Sequence, residues 1–280
     1  MKKTLLAAFA ILSLAGTDSA WAAAYVLPTD TALVFKFNNS EQVDTNGGND
    51  LDVPGTVDYG TAGNWGIILV STIELGDPTA FPNSSIPSIG TQIFANQVFS
   101  NGQTNGQVYG LFYDIDLTGA TTATGGVLDL YWHDGGTLTL PATPTTATVN
   151  AFTTGTFLAR IDFASGIVGP GDCGTTISST VNPTLGVSGF ADSFGNVDVG
   201  AGGLWASTLD RDWFNTACGT RDIRFRNSFN SLPSWNGSNA IGLSSTDPAQ
   251  VFTVPEPMTL GLLGLGLAGL GVRMRRRTNA

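Results

Sequence analysis

Apolar and polar residues alternate along much of the chain, a period-two pattern typical of half-buried β-strands. In the run 107–117 one predicted face carries Asp114 and Asp116, and the other carries Tyr109, Leu111, Tyr113, Ile115 and Leu117. The same alternation occurs at 127–134, 157–163 and 222–229. Shorter candidate strands lie at 32–37, 64–73, 91–99, 136–140, 184–190, 196–205 and 249–253.

No stretch between the two ends of the chain has a useful helical period. Glycine pairs such as Gly47-Gly48 and Gly125-Gly126 predict turns between the strands. Many short strands separated by turns predict an all-β fold, an antiparallel β-sandwich or jelly roll. We expect one such domain over 25–253, preceded by a signal peptide and followed by a hydrophobic helix.

The N-terminus is predicted to be a secretory signal peptide over residues 1–22. Two lysines precede an apolar run over 5–14, and Ala20 and Ala22 form an A-x-A cleavage pattern. These three parts in this order are the signature of export. The predicted partners at this stage are the secretion translocon and signal peptidase.

The C-terminus has three parts in sequence over residues 254–277. Pro255, Glu256 and Pro257 come first, and an apolar, Gly-rich run of 15 residues, 258–272, follows. As a helix that run would be about 22 Å long, short for a hydrocarbon core of about 30 Å. The basic cluster after it predicts that this end stays cytoplasmic and the body lies outside; its arginines are Arg273, Arg275, Arg276 and Arg277.

This tail resembles the PEP-CTERM sorting signal, the tag of exosortase substrates. The two prolines hold the segment extended, and Glu256 is costly to bury, so the segment would be exposed above the bilayer. The resemblance implies transient anchoring in the inner membrane of a Gram-negative bacterium, cleavage near Pro255-Glu256-Pro257 by an exosortase, and a mature protein at the cell surface or in the extracellular matrix. A permanent short membrane anchor is the alternative interpretation.

The composition narrows the function classes. With a formal net charge of −10 and both terminal signals basic, the mature region is strongly acidic. We therefore expect no nucleic-acid partner, because such binding needs a basic face. Hydrophobic residues make up 42% of the chain and charged residues 12%, which excludes wholesale disorder.

Cys173 and Cys218 are the only cysteines. In an exported protein they are expected to form a disulfide, with free thiols or intermolecular pairing as the alternatives. The single histidine, His133, has no motif that links it to either cysteine, and one histidine with two cysteines does not make a recognisable zinc site.

The segment 44–52 offers oxygen ligands around a Gly-Gly turn. Asp44, Asn46, Asp50 and Asp52 could bind calcium, which prefers six to eight oxygens. A solvated polar turn is the other interpretation. Calcium is the only cofactor that the sequence suggests.

Tryptophans in loop-like contexts are the candidate sugar-binding residues. Trp205, Trp213 and Trp235 lie in Gly- and Asn-rich segments, and planar rings stack on sugar faces. Outward-facing carboxylates, Asp114 with Asp116 or Asp129 with either of them, are the candidates for glycoside hydrolysis, although paired outward aspartates more often serve solvation.

The resemblance of the tail to the PEP-CTERM signal implies a role in biofilm, floc or exopolysaccharide matrix, and we expect that role to be structural or adhesive and not enzymatic. The main alternative is a carbohydrate-binding module for exopolysaccharide, which should show an aromatic strip on a flat face. An extracellular glycoside hydrolase is a third candidate and should show opposed carboxylates in a cleft. A scaffold should show exposed strand edges and acidic faces that calcium could bridge.

Overall fold

The computed structural model describes residues 24–44, 63–75, 92–95, 106–134, 138–140, 146–182, 188–232 and 240–252. The predicted signal peptide over 1–22 and the sorting tail over 254–277 lie outside these residues. Within the described ranges, none of the helices has the length and apolar character needed to cross a membrane.

The described chain consists mainly of antiparallel strands, which confirms the predicted all-β class. The strands are β1 Ala32–Asp44, β2 Asn64–Leu75, β3 Gln92–Ala95, β4 Gln107–Leu117, β5 Thr122–His133, β6 Thr156–Ala164, β7 Ile177–Ser179, β8 Gly189–Val197, β9 Phe214–Thr216, β10 Gly219–Arg221, β11 Ile223–Leu232 and β12 Ala240–Phe252. Two short helices, α1 Thr146–Phe152 and α2 Ala206–Leu209, and a 3₁₀ turn at Val199–Ala201 complete it.

Eight of the strands form a sheet that closes on itself. The order is β1-β12-β11-β8-β6-β5-β4-β2, and β2 pairs again with β1. β3 adds to β2, β7 bridges β5 and β8, and β9 and β10 form a separate hairpin. The apolar core therefore lies inside one closed sheet and not between the two sheets of a sandwich. Each of the eight strands has hydrogen-bonded neighbours on both sides.

Apolar side chains from around the ring fill the interior. On β1 the inward set is Leu33, Phe35 and Phe37, and the predicted inward set of β5, Leu128, Leu130 and Trp132, is also there. Trp205, at the start of α2, joins this core. Its indole N–H donates to the carbonyl of Tyr25 at 2.7 Å, which holds the N-terminal segment against the sheet.

A second apolar cluster covers the outer face of β2, β4 and β5. Trp65 and Tyr109 lie in it beneath Val149 and Phe152 of α1. The expectation of no helix is therefore wrong here. α1 has only seven residues in a Thr-rich stretch, too few to show a helical period, and it is stabilised by burying its apolar side.

A bulge in β4 corrects the predicted faces of that strand. Asp114 has a positive φ of 62°, and the pairing of β2 with β4 shifts register between Asn64 and Gly66. Tyr109, Leu111 and Tyr113 consequently face the outer cluster, whereas Ile115 faces the interior. One extra residue reverses the side-chain alternation beyond it.

Three further strand predictions change. Gly125-Gly126 is not a turn: both residues lie inside β5 with positive φ, beside the Asp114 bulge. The segment 196–205 leaves the sheet after Val197, because Asp198 accepts a hydrogen bond from the Ala201 N–H and starts the 3₁₀ turn. Residues 138–140, predicted as part of a strand, are irregular and pack on the outer cluster.

Candidate functional site

The inward face of β1 changes from apolar to polar along its length. After Leu33, Phe35 and Phe37, the same face carries Asn39 and Glu41, both buried. Strand alternation places these two polar side chains inside the closed sheet, where the interior would otherwise be filled by hydrocarbon.

A cavity of about 90 Å³ lies at this polar level of the interior. Both apolar and polar side chains line it. The apolar lining includes Ile68, Phe112, Leu128, Phe163 and Phe225, and the polar lining includes Asn39, Glu41, Asn64, Ser193 and Asn227. Gly119 and Ala120, exposed residues of the β4–β5 turn, line its rim, so the cavity opens to solvent there.

Glu41 is the carboxyl group in this lining. It is 8% exposed, and burial raises its pKa to about 7. Hydrogen bonds from Asn64 and Asn39 favour the charged form and lower the pKa, but their effect is smaller than that of burial. The Asn64 amide donates to Glu41 Oε2 at 3.3 Å. Glu41 is therefore close to half-ionised near neutral pH, and it can donate or accept a proton there.

Gly66 allows the two strands to approach closely at this point. It is paired with Glu41 in the register of β1 and β2. A Cβ at this position would lie 2.5 Å from the Phe112 ring and 2.7 Å from Glu41 Cβ. The glycine thus leaves room for the side chains of Glu41 and Phe112, which both line the cavity.

Two polar atoms near the cavity have no hydrogen-bond partner among the described residues. They are the side-chain amide oxygens of Asn64 and Asn227, and both are buried. Buried polar atoms are nearly always paired, with protein or with a bound molecule. Both atoms are acceptors, so the group that would satisfy them is a hydrogen-bond donor.

Asp129, a hydrolase candidate predicted to face outward into solvent, is instead buried at 5% exposure. The Arg160 guanidinium donates two hydrogen bonds of 2.8 Å to its carboxylate, and the Tyr113 hydroxyl donates at 3.1 Å. The Asp114 side chain is exposed at the bulge, and partial desolvation by the surrounding protein together with the nearby Asp116 raises its pKa. Asp129 thus serves as the partner of Arg160 in the fold.

The tryptophans proposed for sugar stacking are not a surface set. Trp205 is 2% exposed and belongs to the interior core, so that prediction is wrong; its ring supplies buried apolar area between α2 and β1. Trp213 is half-buried against a small cluster with Ala32 and Phe214. Trp235 lies outside the described residues.

The predicted calcium loop lies almost wholly outside the described residues. Asp44 is the last residue of β1, paired with Ala240, whereas Asn46, Asp50 and Asp52 fall in the range that is not described. In the described ranges no group of three or more His, Cys, Asp or Glu residues could hold a metal ion.

The predicted disulfide is present between Cys173 and Cys218, which lie 45 positions apart. The neighbouring Asp172 accepts hydrogen bonds from the Gly174 N–H and from the N–H and hydroxyl of Thr175. Those bonds lower the Asp172 pKa. The disulfide thus joins an ordered turn to the β9–β10 hairpin.

Sequence reasoning missed Asn39 and Glu41 as site residues. The predicted strand 32–37 was ended at the polar segment that follows, but β1 continues to Asp44 with unbroken alternation. Extending the period from Leu33, Phe35 and Phe37 would have placed Asn39 and Glu41 on the inward face. Polar side chains on an otherwise apolar inward face are the sequence signal of a site.

Comparison with known proteins concerns the tail alone. Residues 253–277 match the PEP-CTERM protein-sorting motif, as the resemblance implied. The matched residues include Pro255, Glu256, Pro257 and the arginine cluster, all outside the described residues. No curated protein matches the chain, and no solved structure matches it either. The motif indicates an exported protein that is targeted by an exosortase.

Proposed function

We propose that this exosortase-targeted chain is a surface or extracellular-matrix protein with a structural or adhesive role in a biofilm, floc or exopolysaccharide matrix of a Gram-negative bacterium. The observation that carries the proposal is the sorting motif over 253–277. The domain that the motif would deliver is acidic, disulfide-linked and built on a closed antiparallel sheet, features suited to persistence outside the cell.

The carboxylates favour a non-enzymatic role. Asp129 is neutralised by Arg160, and Glu41 is the one carboxyl among the described residues that line the cavity. Glycoside hydrolysis normally requires two carboxyl groups facing each other across the sugar. That pair is missing from the described lining, so we place hydrolysis last.

The aromatic residues disfavour a flat carbohydrate-binding face. Trp65, Trp132 and Trp205 are all buried, and Phe190 is the one exposed large aromatic among the residues whose side chains are described. Carbohydrate binding through sugar rings stacked on exposed aromatic side chains is therefore the second candidate, behind the structural or adhesive role. Self-association through strand edges is also disfavoured, because the eight main strands are paired on both sides. Adhesion would instead use the acidic surface, which divalent cations can bridge to other polyanions.

The experiment is a deletion of the gene in the native host, with measurement of floc or biofilm mass and of the protein in isolated matrix. We expect the deletion to weaken the aggregates and a wild-type copy to restore them. A Glu256→Ala copy, made in equal amount, should fail to restore them because it is not released. Unchanged aggregates in the deletion strain, with no protein in the wild-type matrix, would overturn the proposal.

A further inference from the structure

We infer that the cavity inside the closed sheet binds a small organic cation, with an ammonium group held at Glu41 and a short apolar body against the phenylalanine-lined wall. This inference is independent of the matrix role. It rests on the placement of the acceptors, on the charge of the lining and on the size of the cavity.

The acceptors are lining residues of β1, β2 and β11. Glu41 is flanked by Asn39 and Asn64, and the amide oxygens of Asn64 and Asn227 are buried without a partner among the described residues. A carboxylate with nearby carbonyl oxygens matches the three N–H donors of a primary ammonium. A carboxylate ligand would not fit, because it has only acceptor oxygens and these would face the Glu41 carboxylate and the unpaired amide oxygens.

The charge of the cavity lining also favours a cationic ligand. Glu41 is the sole titratable residue in the described cavity lining. Neighbouring β2 carries Glu74, which is outside the lining and paired with Lys36 at 2.9 Å. β12, on the other side of β1, has Asp247 as its one ionisable residue, paired in register with Phe37. A cationic ligand would compensate the Glu41 charge that this part of the interior leaves uncompensated.

The size and walls fit a short amphiphilic amine. A cavity of 90 Å³ holds about six to nine waters, hence a ligand of similar heavy-atom count. Phe112, Phe163 and Phe225 line its apolar side, which suits a hydrocarbon body. Phenyl faces also attract cations.

Glu41 lies far along β1 from the end of the sheet at which the described chain stops. Glu41 pairs with Leu243, whereas Phe252, the last described residue, pairs with Ala32. Nine residues of strand separate the two pairs, or about 30 Å.

Binding is coupled to loss of a proton from Glu41. An ammonium that binds beside the neutral acid releases one proton to solvent, and the carboxylate and ammonium then form the ion pair. Because the Glu41 pKa is about 7, the ionised fraction rises about tenfold between pH 6 and pH 8. Affinity for an ammonium should rise with pH by the same factor.

The test is an NMR titration of the protein, as purified from its producing cells, with benzylamine and with benzyl alcohol. The two probes share a ring and differ in the ammonium. At pH 8 we expect benzylamine to bind at least about tenfold more tightly than the alcohol, and to weaken about tenfold at pH 6. Glu41→Gln should remove the preference for the amine and its pH dependence.

Glu74→Gln is the matched control, because Glu74 is a buried glutamate outside the cavity lining. It should leave benzylamine affinity unchanged within about twofold, with folding of each variant checked by thermal melting. Equal binding of amine and alcohol, no saturable benzylamine binding to the folded wild type, or full affinity in Glu41→Gln would each overturn the inference.

Discussion

Glu41 makes the free energy of unfolding depend on pH. Its pKa is about 7 in the fold and near 4.5 when unfolded, so the native state binds the proton more tightly. The stabilisation that Glu41 contributes through its raised pKa is fully present below pH 4.5 and is lost as the pH rises through 7. The loss amounts to about 3 kcal/mol.

Glu41→Gln should therefore be more stable than the wild type at pH 8 and similar to it at pH 4.5. Urea unfolding at both pH values measures the difference, and subtracting the two proteins cancels the other titrating groups. A difference that does not change with pH would contradict the buried position of Glu41.

Asp129 and Arg160 provide a second test at the scale of single residues. Asp129→Asn keeps the shape but leaves the guanidinium without its carboxylate; because the Arg160 side chain is 36% exposed, water compensates in part. We expect a loss of about 2 kcal/mol in urea unfolding at pH 7. The control is Asp162→Asn, an exposed neighbour whose pKa is raised by burial and by Asp198. Equal stability of the two variants would refute the role of Asp129.

Single-residue environments were the hardest to predict from the sequence. Asp129 was expected in solvent and Trp205 on the surface, and both are buried. A period-two pattern separates the two faces of a strand but does not say whether the second face is also covered. Here α1 and residues 138–140 cover part of it, and neither had a sequence signal.

At the scale of elements, the bulge at Asp114 stores backbone strain, because an L-residue with positive φ is disfavoured relative to glycine. Asp114→Gly should stabilise the protein by about 0.5–1 kcal/mol. Asp114→Ala removes the same carboxylate but keeps the Cβ, so it should give no such gain. Thermal melts of the two variants decide, and an equal or greater gain from alanine would contradict the assignment of strain to the backbone.

The strands themselves were largely predictable. The run 107–117 coincides with β4, and 127–134, 157–163 and 222–229 lie in or next to β5, β6 and β11. The full extent of β1 is predictable only if the period is continued through its polar half, and the course of 196–205 was not predictable in this way. Strand pairing extended β1 through a polar segment, and a side-chain cap at Asp198 ended β8.

At the scale of the whole molecule, the disulfide closes a long loop that includes β7, β8 and α2. Cys173→Ser with Cys218→Ser should cost about 4 kcal/mol, or a fall in Tm of about 10 °C. Reductant should lower the wild-type Tm to that of the double variant and leave the variant unchanged. A variant as stable as the oxidised wild type would show that the loop needs no covalent closure.

Both ends of the described domain lie at the same end of the closed sheet, since Ala32 pairs with Phe252. The predicted signal peptide precedes one and the matched sorting motif follows the other. The two segments to which export and processing are assigned are thus identified from the sequence alone, one by prediction and one by the motif match.

The central claim is that this chain is exported and processed by an exosortase. The most direct test is the intact mass and cell fraction of the protein from its native host, for the wild type and for Glu256→Ala. We predict a wild type shortened near Pro255 and found outside the cell, and a variant that keeps its tail in the inner membrane. If both proteins keep the tail and stay in the membrane, the tail is a permanent anchor and the claim is contradicted.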